Sequence, residues 1–350
     1  EQNVIIVDDE EEEEEEIADN IGELPSDDKW NTEYVIQNKL AKNTEESKTK
    51  ESKYSASDFS EDFPIIHMIN QNLPVYHNQT KNGPSFVCLH GAGHSGASFT
   101  LFAKTLKKFH SVFSFDFKGH GYSAKVDDSD YSKNSLILES IEVLNYIMSE
   151  EEFKDHPLII VGHSMGGSIA TFLVEYIFKS PELKHIAKAI KGLISIEVSE
   201  GSAKDALPMM EHVVLTRPKS FLSMEEAVEY CYKHSIVQSL ASCKLSIPPI
   251  IEKRDNGKFH WKVDLMKSKK YWEEWFDGLT ASFLNIKVPK LLVMAGPERM
   301  DKELTIAHMQ GKFKMVNLPG TGHFIHEDNF LQFSEVMKDF VKIFKVNDPM

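Results

Sequence analysis

Ser164 sits in Gly162-His163-Ser164-Met165-Gly166-Gly167, directly after the apolar run Leu158-Ile159-Ile160-Val161. The run is too short for a helix and suits a buried parallel strand, and the residues after Gly167 suit a helix. A strand that turns this tightly into a helix needs glycine at 162 and 166, and it holds the intervening serine out at the tip. A bare Gly-x-Ser-x-Gly arises by chance in roughly one chain in ten of this length, so the flanking strand and small residues carry the weight. The chemistry implied is nucleophilic attack on a carbonyl carbon. The helix behind the serine would point free backbone N–H groups, first that of Met165, at the oxyanion.

A serine hydroxyl needs a base, and imidazole titrates in the useful range. Of the fifteen histidines, His323 stands in Gly320-Thr321-Gly322-His323 after the last strand-like segment, matching the order serine, acid, histidine. His326 is the runner-up, whereas the side chain of His163 should diverge from that of Ser164. The acid that orients the base stays open between Glu197, which ends one strand, and Glu298 or Asp301, which follow the next. A second oxyanion donor is expected from Gly91 and Ala92, in the glycine-rich turn His90-Gly91-Ala92-Gly93 after the strand Ser85–Leu89. Asp116 and His120, beside Gly119 and Gly121, read as braces of a loop rather than as catalytic groups.

These groups need a scaffold of strands alternating with helices. Strands are expected at Phe63–Met68, Pro74–Tyr76, Ser85–Leu89, Ser111–Phe117, Pro157–Val161, Ala189–Ile196, Val288–Met294 and Lys314–Leu318. Helices are expected at Ser98–Phe109, Asn134–Ser149, behind the serine, and at Asn329–Phe344. The pattern specifies an α/β fold, a mostly parallel, doubly wound sheet with its site at the carboxyl ends of the strands. Between about 198 and 287 the rhythm fails. Helical character at 224–233 and 271–284 and the aromatics Trp261, Tyr271, Trp272, Trp275 and Phe276 suggest a cap inserted over the site, its aromatics mainly serving packing.

The net charge of −15 lies entirely in residues 1–62, which hold 21 acidic residues and 6 lysines, leaving 33 of each sign in residues 63–350. Self-repulsion along Asp8–Glu16 predicts a disordered tail, with a docked strap around 28–36 and a low-complexity linker at 37–60. A neutral body has no field to recruit nucleic acid or an anionic membrane surface. Three cysteines without metal spacing, and no leader or long apolar segment, point to an intracellular protein of cytoplasm or nucleus.

Beyond the serine turn, the chain resembles the protein phosphatase methylesterases, members of the α/β-hydrolase superfamily. The likeness runs from about 75 to the end through His90-Gly91-Ala92-Gly93-His94-Ser95, Ile196–Leu207, Arg217–Phe221, Lys270–Leu279, Asp301–Ile306, Met309–Phe313 and Gly322–Asp328. The resemblance implies an α/β-hydrolase fold and removal of the methyl ester from the C-terminal carboxyl of the protein phosphatase 2A catalytic subunit, the partner. It implies a triad of Ser164, Glu197 and His323, without metal or organic cofactor. Here Glu197 stands where the family has Asp, one methylene longer, which keeps Glu298 and Asp301 as stand-ins. Two other functions fit a serine hydrolase of this kind: a small-molecule carboxylesterase or lipase, and a phosphatase-binding regulator with weak esterase activity.

Overall fold

The computed structural model describes residues 52–123, 130–296 and 300–346. The acidic run, the strap around 28–36 and Glu298 lie outside them. In chain order the elements are β1 (Ile65–Ile69), β2 (Leu73–His77), β3 (Ser85–Leu89), α1 (Thr100–Leu106), β4 (Ser111–Phe115), α2 (Lys133–Ser149), β5 (Leu158–His163) and α3 (Met165–Lys179). Next come α4 (Lys184–Ala189), β6 (Ile190–Ile196), α5 (Glu200–Thr216), α6 (Met224–Lys233), α7 (Leu240–Ser246), β7 (Ile251–Lys253), β8 (Phe259–Trp261), α8 (Trp272–Phe276) and α9 (Leu279–Asn285). The chain closes with β9 (Lys290–Met294), α10 (Lys302–Met309), β10 (Lys314–Asn317), α11 (Ile325–Asp328) and α12 (Phe330–Ile343).

Eight strands form one sheet in the order β1-β2-β4-β3-β5-β6-β9-β10. The β1/β2 and β2/β4 pairs are antiparallel and all others parallel. β5 is central and buried on both faces, so it reads as a continuous apolar run. Its side chains alternate between two cores: Leu158 and Ile160 pack with α2 and α3, and Ile159 and Val161 with α1 and α12.

Between β6 and β9 the chain inserts α5–α9 and the β7–β8 hairpin, whose turn carries Gly257 at φ 76°. A separate small core of Phe221, Val228, Cys231, Leu240, Cys243 and Ile251 holds α6, α7 and the hairpin together. Trp272, Trp275 and Phe276 are buried in the main core, and Trp275 donates its indole N–H to the Tyr131 carbonyl at 2.8 Å. The helical stretch expected at 271–284 is two helices, because Gly278 at φ 78° turns the chain between them. The sequence reading missed α5. Its Pro208 lies mid-helix and argues against a helix, although Ala203, Leu207, Met210 and Val214 recur at helical spacing and pack, partly buried, against the main core.

Residues 53–62, expected within the tail, belong to the folded unit that begins at Lys53. The Ser57 amide donates to the Lys244 carbonyl at 2.9 Å, and the Phe59 ring lies 5.7 Å from that of Tyr76. These aromatics anchor a segment whose composition otherwise reads as linker.

Candidate active site

The turn from β5 to α3 is shaped by backbone crowding. A Cβ at Gly162 would lie 2.1 Å from the Gly166 carbonyl oxygen, and one at Gly166 would lie 2.3 Å from that of Leu89. Ser164 therefore takes φ 53°, ψ −120°, a conformation that costs an L-residue about 1–3 kcal/mol. It is clamped there: its amide donates to the Ile196 carbonyl (2.9 Å), and its carbonyl accepts from Gly167 (2.9 Å) and Ser168 (3.1 Å). Ser164 alone is partly exposed in the otherwise buried run from Leu158 to Val174. Because the collisions are with backbone, Gly162→Ala or Gly166→Ala is expected to destabilise the protein by at least about 3 kcal/mol. Urea unfolding of either variant with the parent's midpoint would refute this account of the turn.

The Gly91 turn leaves β3 and lies against the serine. A Cβ on Gly91 would meet His163 Nδ1 at 2.8 Å and Ser164 Cβ at 3.4 Å, so glycine permits this approach. His90 holds the turn from below: Nδ1 donates to the Gly91 carbonyl (2.8 Å) and Nε2 accepts the Phe117 amide (3.0 Å). Burial pushes the pKa of His90 well below the usual histidine range, which keeps that tautomer neutral. The Gly91 turn and the N-terminus of α3 thus meet beside Ser164.

His323 is exposed, in the loop between β10 and α11. Its carbonyl accepts from His163 Nε2 at 2.7 Å, and the two imidazole rings lie 4.7 Å apart. His163, next to the serine in sequence, diverges from it and braces the His323 loop. Its burial, followed by the nearness of His326 and His323, drives its pKa well below the ordinary value. His326 is fully buried, stacked on Phe99 with centroids 4.4 Å apart, and burial likewise keeps it neutral. Asp328 fastens the loop from its other side by accepting from Gly322 (2.7 Å) and Gln238 (2.6 Å).

Glu197 follows β6 at φ 54° and is 5% exposed. Its amide donates to the Val293 carbonyl at 2.8 Å, and its Oε2 accepts the Ala295 amide at 2.7 Å. The carboxylate is therefore held across the carboxyl ends of β6 and β9. Both oxygens of Asp301 are occupied locally: Oδ1 caps α10 through the Leu304 amide, and Oδ2 accepts from Thr280 Oγ1, each at 2.8 Å.

Asp116 is fully buried and accepts from the Gly96 amide (2.6 Å), the Tyr76 hydroxyl (2.7 Å) and the Tyr122 amide (2.7 Å), joining three separate segments. Burial raises its pKa to about 6, against the pull of those hydrogen bonds. A carboxyl whose pKa is higher folded than unfolded favours the fold most below its unfolded value of 3.8, and that contribution is lost as pH rises through about 6. The stability difference between the parent and Asp116→Asn is expected to move against the parent by about 2 kcal/mol from pH 4 to 7. Urea midpoints of the two proteins across that range measure it, and a constant difference would contradict the raised pKa.

Among the described residues no group of three or more His, Cys, Asp or Glu side chains is arranged to hold a metal ion, and no helix is long and apolar enough to cross a membrane. Cys88, Cys231 and Cys243 are free and buried.

Residues 86–336 match the model of the alpha/beta hydrolase family. The chain is 36% identical to a probable protein phosphatase methylesterase 1 of Caenorhabditis elegans over 82% of this chain and 76% of that protein. It is 32% identical to the protein phosphatase methylesterase 1 of Saccharomyces cerevisiae, over 93% of this chain and 86% of that one. Among solved structures it is similar to an E-2-(acetamidomethylene)succinate hydrolase, with a TM-score of 0.63 and 16% identity over 79% of this chain and 97% of the other, a likeness of fold.

Proposed function

Because this chain belongs to the α/β-hydrolase family and, within it, to the protein phosphatase methylesterases, we propose that this ester hydrolase demethylates the C-terminal carboxyl methyl ester of the protein phosphatase 2A catalytic subunit. The observation that carries the reading is Ser164, held out at φ 53° with the Gly91 turn against it and the His323 loop braced on the neighbouring His163. The reaction takes place in cytoplasm or nucleus, on the methylated tail of the partner.

Ser164 gives its proton to His323 and attacks the ester carbonyl. The resulting oxyanion is held by the amide of Met165, at the start of α3, and by amides of the Gly91–Ala92 turn; each such donor is worth about 10²–10³ in rate. Methanol leaves, carrying the proton that His323 returns. Water, activated by the same imidazole, then cleaves the acyl-enzyme and frees the tail carboxylate. Glu197 holds the His323 tautomer from the end of β6, and the extra methylene relative to Asp is accommodated by the Ala295 amide that draws its carboxylate toward β9. The reaction requires no metal or cofactor. The folded unit that begins at Lys53 forms the catalytic domain, with the insertion at about 198–287 as a cap that selects a protein tail over small esters.

The test is the intact mass of a carboxymethylated phosphatase 2A catalytic subunit incubated with the parent or with Ser164→Ala. Loss of one methyl group with the parent only is expected. Binding without demethylation would instead support a phosphatase-binding regulator. Efficient turnover of small aryl esters, without binding or demethylation of the subunit, would support a small-molecule carboxylesterase.

A further inference from the structure

Two loops must keep a set distance for this reaction: the turn with Gly91 and Ala92, and the loop with His323. A buried pair of side chains joins them. His94 Nε2 lies 3.0 Å from Glu327 Oε1, with the side chains 4% and 0% exposed. His94 closes the Gly91 turn, its amide donating to the Gly91 carbonyl at 3.2 Å. Its Nδ1 accepts the Ser95 amide (3.1 Å), which leaves the ring proton on Nε2, the nitrogen that faces Glu327. Glu327 stands four residues beyond His323, in α11. Its own carbonyl accepts from Ser242 Oγ of α7 at 2.8 Å, so its backbone is fixed to the insertion as well. The His94 ring also lies 5.0 Å from that of Phe324, which directly follows His323.

Neither Nε2 of His94 nor either carboxylate oxygen of Glu327 has a hydrogen-bonded partner among the described residues. The 3.0 Å contact sets the Nε2 edge of the imidazole against the carboxylate, out of line for a hydrogen bond. A buried pair of this kind contributes little to stability, since an apolar pair of similar volume often serves as well or better. Its cost is explained by what it spans, the oxyanion turn on one side and the base loop on the other. A misplacement of about 1 Å between such groups lowers a rate by about 10²-fold.

We propose that His94 and Glu327 are positioning residues, a buried imidazole–carboxylate contact that sets the spacing between the oxyanion turn and the His323 loop without touching substrate. The inference rests on the reading of Ser164 and His323 as nucleophile and base.

The test uses the full chain with p-nitrophenyl acetate, rates being expressed per active site titrated with a fluorophosphonate. Glu327→Gln and His94→Gln are each expected to lower kcat about 10- to 100-fold with KM within about twofold. The double variant should be no slower than the slower single variant, since both remove one interaction. Unfolded protein does not titrate and so does not enter the rate, and if one variant does not fold the other carries the kcat measurement. A kcat per site within about threefold of the parent, with only a lowered melting temperature, would assign the pair to structure alone and overturn the proposal. Losses that multiply in the double variant would overturn it too. Turnover that persists in Ser164→Ala, run in parallel, would instead refute the catalytic reading beneath it.

Discussion

Ser164→Ala is expected to lose ester turnover by about 10⁶-fold, the effect that removal of a triad serine has, while the fold and substrate binding survive. The large number follows from the reaction: without the hydroxyl no acyl-enzyme forms, and only the oxyanion donors and bound substrate remain. The fold survives because what holds this turn is backbone. The Ser164 amide and carbonyl make the clamping hydrogen bonds, and alanine bears the φ of 53° at a similar strain. His323→Ala should behave alike, and the losses should not multiply in the double variant, because both residues serve one proton transfer. Mass spectrometry of the methylated phosphatase subunit and the melting temperature of each variant check this. Retention of more than about 1% of the parent rate in Ser164→Ala would remove the serine from the mechanism.

Glu197→Gln is expected to lower kcat by about 10³–10⁴-fold, because an amide neither enforces the working tautomer of His323 nor stabilises its protonated form. The glutamine keeps an oxygen for the Ala295 amide, so stability should change little. Asp301→Ala marks the contrast. That side chain caps α10 and accepts from Thr280, so its loss should appear as about 1 kcal/mol of stability with kcat within about threefold. Steady-state kinetics with urea unfolding separate the two outcomes. Should Glu298→Gln prove more damaging to kcat than Glu197→Gln, the acid of the triad would have to be reassigned to the segment after β9.

The parts of this protein legible from the chain alone are those whose causes are local. An apolar run followed by Gly-His-Ser-Met-Gly-Gly encodes β5, its turn and α3 through short-range sterics, and the collisions that a Cβ at 162 or 166 would meet are with backbone only a few residues away or on the adjoining strand. The same holds for β3 with its glycine turn, for the placing of His323 after the last strand, and for the α/β alternation. Only the tertiary structure decided what depends on residues far apart in sequence. It drew residues 53–62 onto the body through Tyr54 and Phe59, stabilised α5 despite Pro208, and gave His163, which the turn itself directs away from the serine, a loop 160 residues on to brace. It also set Glu327 against His94. No local pattern predicts such a pairing, because a charged side chain carries no mark of its partner until packing has removed water from both.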